Sequence, residues 1–198
     1  MIVGVLLAAG AATRFGGDKL LAELSAGQSV AEAACAGLSP AVDRLIAVVR
    51  PGADELAERL AAAGAEITVC AEAGQGMGVS LAHGIAQAPN AAGWLIALAD
   101  MPLVATADAR RVAGALRDGA AIVVPEVAGR SAHPVGFSAR FFAELAALSG
   151  DQGARALLER HAAVVLRLRL DGSHGRIDVD TVDDLARARE AFLHEGRV

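Results

Sequence analysis

Residues 2–19 of the 198-residue chain read IVGVLLAAGAATRFGGDK. The run from Ile2 to Leu7 is short and uninterruptedly apolar, the pattern of a β-strand buried on both faces. A loop follows that carries Gly10, Gly16 and Gly17, with Thr13, Arg14, Asp18 and Lys19 between or beside them. Glycines let a backbone approach a phosphate closely and expose its N–H groups to it. Arg14 has the fork geometry to hold two phosphate oxygens, and Lys19 adds a point charge. The loop is not a Walker A motif, because Asp18 separates Gly17 from Lys19 and Leu20 follows the lysine. Nor does it have the GxGxxG spacing of a dinucleotide fold.

Outward from this stretch, strand and helix patterns alternate along the whole chain. Arg44–Val49 (RLIAVV), Ile67–Cys70, Trp94–Ala99 (WLIALA) and Ala121–Val124 read as strands, and Val164–Leu170 as a half-exposed one. Helices are expected over Ser29–Gly37, Asp54–Ala63, Val79–Gln87, Thr106–Arg117, Ala139–Leu148, Gly153–Arg160 and Thr181–Leu193. The last is capped by Thr181, with Asp184 three residues on. Pro125–Pro134 reads as a loop or hairpin turning at Gly129. This alternation predicts an α/β fold: three layers, Rossmann-like, with a mostly parallel central sheet, and a single domain over 1–198. In such sheets ligands bind at the carboxyl ends of the strands.

Composition narrows the function classes. Apolar residues make up 54% and charged residues 21%, which is globular rather than disordered. Net charge is −5 with no basic stripe, which argues against a nucleic-acid partner. Cys35 and Cys70 sit in no CxxC pair and read as buried, reduced thiols. The first apolar run is too short for a signal peptide or a membrane span, so the expected location is cytoplasmic, without a membrane partner.

Two further features carry chemistry. Gly74–Leu81 (GQGMGVSL) offers backbone amides and one hydroxyl at a helix start. Asp100 directly follows the buried run Trp94–Ala99, which puts a carboxylate at the ligand edge of the sheet. Magnesium takes one or two carboxylates together with substrate phosphate oxygens. A helix-capping role for Asp100 is less well supported, since Pro102 and Leu103 intervene and Thr106 is the better cap. Near the C-terminus, Asp178 and Asp180 alternate in an extended segment, so one of them faces the site.

Leu7–Leu21 (LAAGAATRFGGDKLL) resembles the LAAGxSxRFGxxKLL signature of the molybdenum cofactor cytidylyltransferases, within the MobA-like nucleotidyltransferase superfamily. Gly76–Leu81 resembles that family's GMGxSL segment, and Leu98–Val104 (LADMPLV) its LADxPxV segment. Gly129–Phe137 (GRSAHPVGF) resembles GxxGHPVLF, Ser149–Leu158 resembles SGDxGARxLL, and Ile177–Leu185 resembles DIDTPEDL. The resemblance implies that Leu7, Ala8, Ala9, Gly10, Arg14, Lys19, Gly76, Gly78 and Ser80 bind nucleotide. It implies that Asp100 and Asp180 hold Mg²⁺, with Arg14, Lys19 and Asp100 serving catalysis. His133, Pro134 and Arg155 are implied to shape the acceptor pocket, with Arg155 holding a phosphate or pairing with Asp151. The guanylyl-transferring relatives carry LAGG where this chain has Leu7–Gly10, so the implied donor is CTP.

The expected reaction is transfer of CMP from CTP to the terminal phosphate of a molybdopterin-type acceptor, with a molybdoenzyme as recipient of the product. The alternatives are GTP or another NTP as donor with a different phosphorylated acceptor, and a non-catalytic nucleotide- or cofactor-binding chaperone.

Overall fold

The computed structural model describes residues 1–10, 15, 17–170 and 177–195. The opening apolar run forms β1 (Ile2–Ala8), buried along its whole length. After the first glycine loop, β2 (Glu23–Ser25) and β3 (Gln28–Ser29) make a small hairpin. It delivers Ser29 as the N-cap of α1 (Val30–Leu38), in a reciprocal capping box with Glu32. Then follow β4 (Arg44–Val49), α2 (Asp54–Ala62), β5 (Glu66–Val69), α3 (Met77–Ala86), β6 (Gly93–Leu98), α4 (Thr106–Arg117) and β7 (Ile122–Val127). The chain continues through β8 (Arg130–Ser131), β9 (Val135–Ser138), α5 (Phe142–Ala146), α6 (Arg155–Arg160), β10 (Val165–Leu170) and α7 (Val182–Glu195).

The main sheet has the order β10-β7-β9-β6-β1-β4-β5, with β8 added to β7. β9 runs antiparallel to both β6 and β7, and β8 antiparallel to β7. The remaining pairings are parallel. Side chains of β1 alternate between two cores, as the two-residue period of a strand requires. Ile2, Leu6 and Ala8 pack with α1, α2 and α4 on one face. Val3, Val5 and Leu7 pack with α3, α5 and α6 on the other. The result is the expected three-layer α/β architecture with a mostly parallel sheet. A core this rich in alanine draws its layers close together. A Cβ on Gly84 of α3 would stand 2.7 Å from Val5 and Val48, and one on Gly136 of β9 would stand 3.0 Å from Val112 and Leu116 of α4. Gly136 is therefore small because α4 lies directly over β9. Among the described residues no helix is long and apolar enough to cross a membrane.

Three local expectations are corrected. β7 continues through Pro125 to Val127, past the expected end at Val124. Proline is tolerated there because it falls between the two pairings on that side of the strand, with β9 at Ile122 and Val123 and with β8 at Glu126 and Val127. The turn that follows holds Ala128 at φ 51° and Gly129 at φ 73°, the paired left-handed geometry of a tight hairpin. Second, Val135–Ser138 forms a strand that no local pattern announced. Third, Thr106 is the first residue of α4 and not its cap; Ala105 holds the cap position without a side-chain bond.

Candidate active site

The site grows from the register of the central strands. Ala8 lies opposite Val49 on one side of β1, and Leu7 opposite Leu98 on the other. The three strands end side by side, so the residues that follow them meet at one edge. A cavity of about 460 Å³ opens there, lined among others by Leu7, Ala9, Gly10, Arg50, Gly76, Ser80 and Asp100. Its size suits a nucleotide-like small molecule.

Beside this cavity Lys19 is buried at 9% exposure. Its Nζ donates to Asp100 Oδ2 at 2.7 Å and to Asp180 Oδ1 at 2.6 Å. Burial works against the charge on Lys19, but the hydrogen bonds and charges of Asp100 and Asp180 outweigh it and hold the ammonium above its ordinary range. Asp180 reaches this position because the Val179 N–H donates to the Asp100 carbonyl at 2.9 Å. Val179 itself is fully buried among Leu24, Leu103 and Leu185. With Val179 turned inward, Asp178 is left exposed and Asp180 meets Lys19. Thr181 and Asp184 exchange hydrogen bonds as the capping box that starts α7.

Asp100 Oδ1 is buried and makes no hydrogen bond among the described residues. Two carboxylates that converge on one point, one of them with an unused buried oxygen, suit a hard divalent cation. The described residues hold no group of three or more His, Cys, Asp or Glu arranged for a metal. A cation here would complete its shell with water or phosphate oxygens, the preference of magnesium.

The sequence reading overlooked Arg50. It follows the buried run of β4 just as Asp100 follows that of β6, and the same reasoning applied to both would have found it. Its guanidinium donates to the Gly10 carbonyl at 3.0 Å and to Asp18 Oδ2 at 2.8 Å. It thereby ties together the two ends of the first glycine loop while facing the cavity. Arg14, with Thr13 and Gly16, lies outside the described residues. Hydrogen bonds to charged groups contribute about 1.5–3 kcal/mol. Arg50→Ala is thus expected to raise the nucleotide KM roughly tenfold or more, with a smaller change in kcat. Steady-state kinetics at varied nucleotide concentration checks this.

Among the residues expected to bind nucleotide, Leu7, Ala9, Gly10, Gly76 and Ser80 line the cavity, whereas Ala8, Lys19 and Gly78 do not. Ala8 points to the opposite face of the sheet and packs in the α1 core. The Gly78 N–H is taken by the Gly150 carbonyl at 2.7 Å, so it is not presented to a ligand. A Cβ on Gly78 would lie 2.6 Å from the Ser149 carbonyl oxygen, and one on Gly76, at φ +125°, would lie 2.5 Å from Gly150 and Asp151. These glycines let the 149–151 segment press against the second loop. That segment also puts Asp151 at the rim of the nucleotide-sized cavity.

A second cavity of about 200 Å³ shares Leu7, Met77 and Leu98 with the first and contains His133, Gln152 and Arg155. His133 Nδ1 lies 3.2 Å from the Ile96 carbonyl oxygen. Burial lowers the His133 pKa, partly countered by that hydrogen bond and by the charge of Asp100. The ring is therefore neutral near pH 7. Nδ1–H donates to Ile96 and Nε2 is left as an acceptor. Pro134 is buried behind the wall of this cavity and does not line it. Arg155 is exposed and pairs with Glu159 at 3.0 Å, not with Asp151.

The lowered pKa fixes a pH dependence. Below about pH 6.5 the unfolded chain takes up a proton that folded His133 resists. Its contribution to stability is present above the unfolded pKa and declines as the pH falls through it. Urea unfolding from about pH 7.5 to about pH 5.5 should show a smaller loss of stability in His133→Gln than in the parent chain.

Residues 4–164 match the MobA-like NTP transferase domain. The chain belongs to that family. The purine catabolism protein PucB of Bacillus subtilis (strain 168) is 29% identical, over 96% of this chain and 97% of PucB. Rv0371c of Mycobacterium tuberculosis H37Rv has a crystal structure that is 34% identical, with a TM-score of 0.82 over 96% of this chain and 97% of its own. Its complex with manganese is 33% identical, with a TM-score of 0.78 over 96% and 98%. Mth528, a nucleotidyl transferase from Methanothermobacter thermautotroptrophicus, is 24% identical with a TM-score of 0.84 over 98% and 99%, and has the same fold. The MobA-like domain spans both glycine loops, Asp100, His133 and Arg155. Asp180 and α7 lie beyond the matched residues, although their contacts close the site.

Proposed function

We infer that this MobA-like transferase is a Mg²⁺-dependent cytidylyltransferase that moves CMP from CTP to the terminal phosphate of molybdenum-bearing molybdopterin. The observation that carries the reading is the meeting of Asp100, Asp180 and Lys19 at the edge of a nucleotide-sized cavity that adjoins a second, mostly apolar one. An acceptor phosphate oxygen forms a bond to the α-phosphorus of CTP, the bond from that phosphorus to the β-phosphate oxygen breaks, and pyrophosphate leaves. No protein nucleophile takes part; the protein positions the reactants and stabilises charge.

Each residue has a defined task in this reading. Gly10 and the loop tied by Arg50 receive the phosphates, and Lys19 with Arg14 offsets their charge. Ser80 is buried at 4% and lines the first cavity, which offers its hydroxyl to the nucleotide. Asp100 and Asp180 would hold the divalent cation, which when bound neutralises phosphate charge. That Rv0371c has been solved with manganese supports a divalent ion here. His133, neutral and accepting at Nε2, suits a ring N–H of the acceptor, with Arg155 at the outer end. The likeness of Leu7–Gly10 to the cytidylyl-transferring signature supports CTP, and the likenesses of Gly129–Phe137 and Ser149–Leu158 support the molybdopterin acceptor.

The test is pyrophosphate release with each of the four NTPs, with and without molybdenum-loaded molybdopterin. CTP with the loaded acceptor should give the highest rate. Faster release with GTP would overturn the donor, and equal release without acceptor would overturn the acceptor.

A further inference from the structure

Lys19 is the one lysine in the chain; the other seventeen of its eighteen Lys and Arg residues are arginine. The single ammonium is placed between the two carboxylates that the functional reading gives to a divalent cation, within 2.7 Å of each. A guanidinium would lock bidentately onto those oxygens, whereas an ammonium on a flexible four-carbon stem makes point contacts it can leave. The backbone below it is anchored independently: the Ala22 N–H donates to the Lys19 carbonyl at 3.3 Å, and Asp18 is held by Arg50. The side chain can therefore swing while its Cα stays in place.

We propose that Lys19 is an exchangeable occupant of the cation site, neutralising Asp100 and Asp180 until nucleotide and divalent cation arrive together. The inference rests on the assignment of that cation to Asp100 and Asp180. A dication and an ammonium cannot share the same two carboxylates without strong repulsion. The ammonium must leave, and the triphosphate supplies the negative charge that receives it. Asp100 Oδ1, buried and without a hydrogen bond among the described residues, gives the cation a further oxygen beside the two that Lys19 vacates. Cation alone meets an occupied site, and nucleotide alone must draw Lys19 away from two anions. The pair therefore loads cooperatively, and the carboxylates are never left bare.

Two measurements test this. The first is Mn²⁺ binding by electron paramagnetic resonance, without nucleotide, to the parent chain and to Lys19→Met. A site held by the ammonium more than nine-tenths of the time weakens apparent cation affinity about tenfold. Lys19→Met should thus bind Mn²⁺ at least about tenfold more tightly. Equal or weaker binding by the folded variant overturns the proposal and leaves the cation site standing. Mn²⁺ binding to neither protein, even with α,β-methylene-CTP, overturns the cation site as well.

The second measurement does not depend on the variant folding. Lysine-selective ¹⁵N labelling gives one side-chain ammonium signal. It should stay in place with millimolar Mg²⁺ alone and move when Mg²⁺ and α,β-methylene-CTP are added together. A signal that shifts with Mg²⁺ alone, or does not shift with the pair, overturns the exchange.

Discussion

Asp100→Asn is expected to lower pyrophosphate release by about 10²–10³ while leaving the protein folded. The substitution is nearly isosteric, and its amide oxygen can still accept from Lys19. What it removes is a formal charge at the one carboxylate that touches the Lys19 ammonium and also keeps a buried oxygen without a partner. Charge stabilisation in a water-poor site is where a single group contributes most. Asp180, 46% exposed at its side chain, is screened by solvent and should give a smaller loss when changed to Asn. Asp178→Asn should leave the rate unchanged, since that side chain faces away from Lys19. Pyrophosphate release at saturating substrate, with thermal unfolding of each variant alongside, makes the comparison. A rate for Asp100→Asn within a few-fold of the parent would remove Asp100 from the reaction centre.

Gly78→Ala should destabilise the protein by about 1–3 kcal/mol, because its Cβ has no room beside Ser149 and Gly150. For a chain of this size that is a fall of roughly 2–4 °C per kcal/mol in Tm. The strain is not spread evenly. It pushes apart the second glycine loop and the 149–151 segment, which between them contribute Gly76, Ser80 and Asp151 to the first cavity. The nucleotide KM should therefore rise along with the loss of stability. Gly114→Ala in α4 is the matching control. Nothing lies within 4 Å of its Cβ position, so removal of a helix glycine should stabilise by roughly 0.5–1 kcal/mol without touching the kinetics. A Gly78→Ala protein as stable as the parent would mean that the two segments part without cost.

Gly78, in the first turn of α3, and Gly114, within α4, thus have opposite expected signs, and their neighbours in space decide which is which. The same division runs through the molecule. The first glycine loop after a buried strand and Asp100 after Trp94–Ala99 were both legible as residues at the ligand edge of a sheet. Arg50 had the same local signal and was overlooked. Gly78 was legible as a loop glycine, but the reason for it was not, since its partner is a carbonyl in another segment.

By itself, the sequence determined most of the strands and helices, that the sheet is mostly parallel, and which sheet edge gathers the candidate site residues. Those properties follow from apolar periodicity, glycine placement and capping, each set by residues close along the chain. Tertiary structure alone decided that β9 slots antiparallel between β6 and β7, that Ala8 turns away from the cavity, and that His133 is neutral. It also decided the partners of Lys19, which lie 81 and 161 residues away. Contacts at that separation are fixed by strand register and by the burial of Val179 beneath α7, and no local pattern in the chain encodes either.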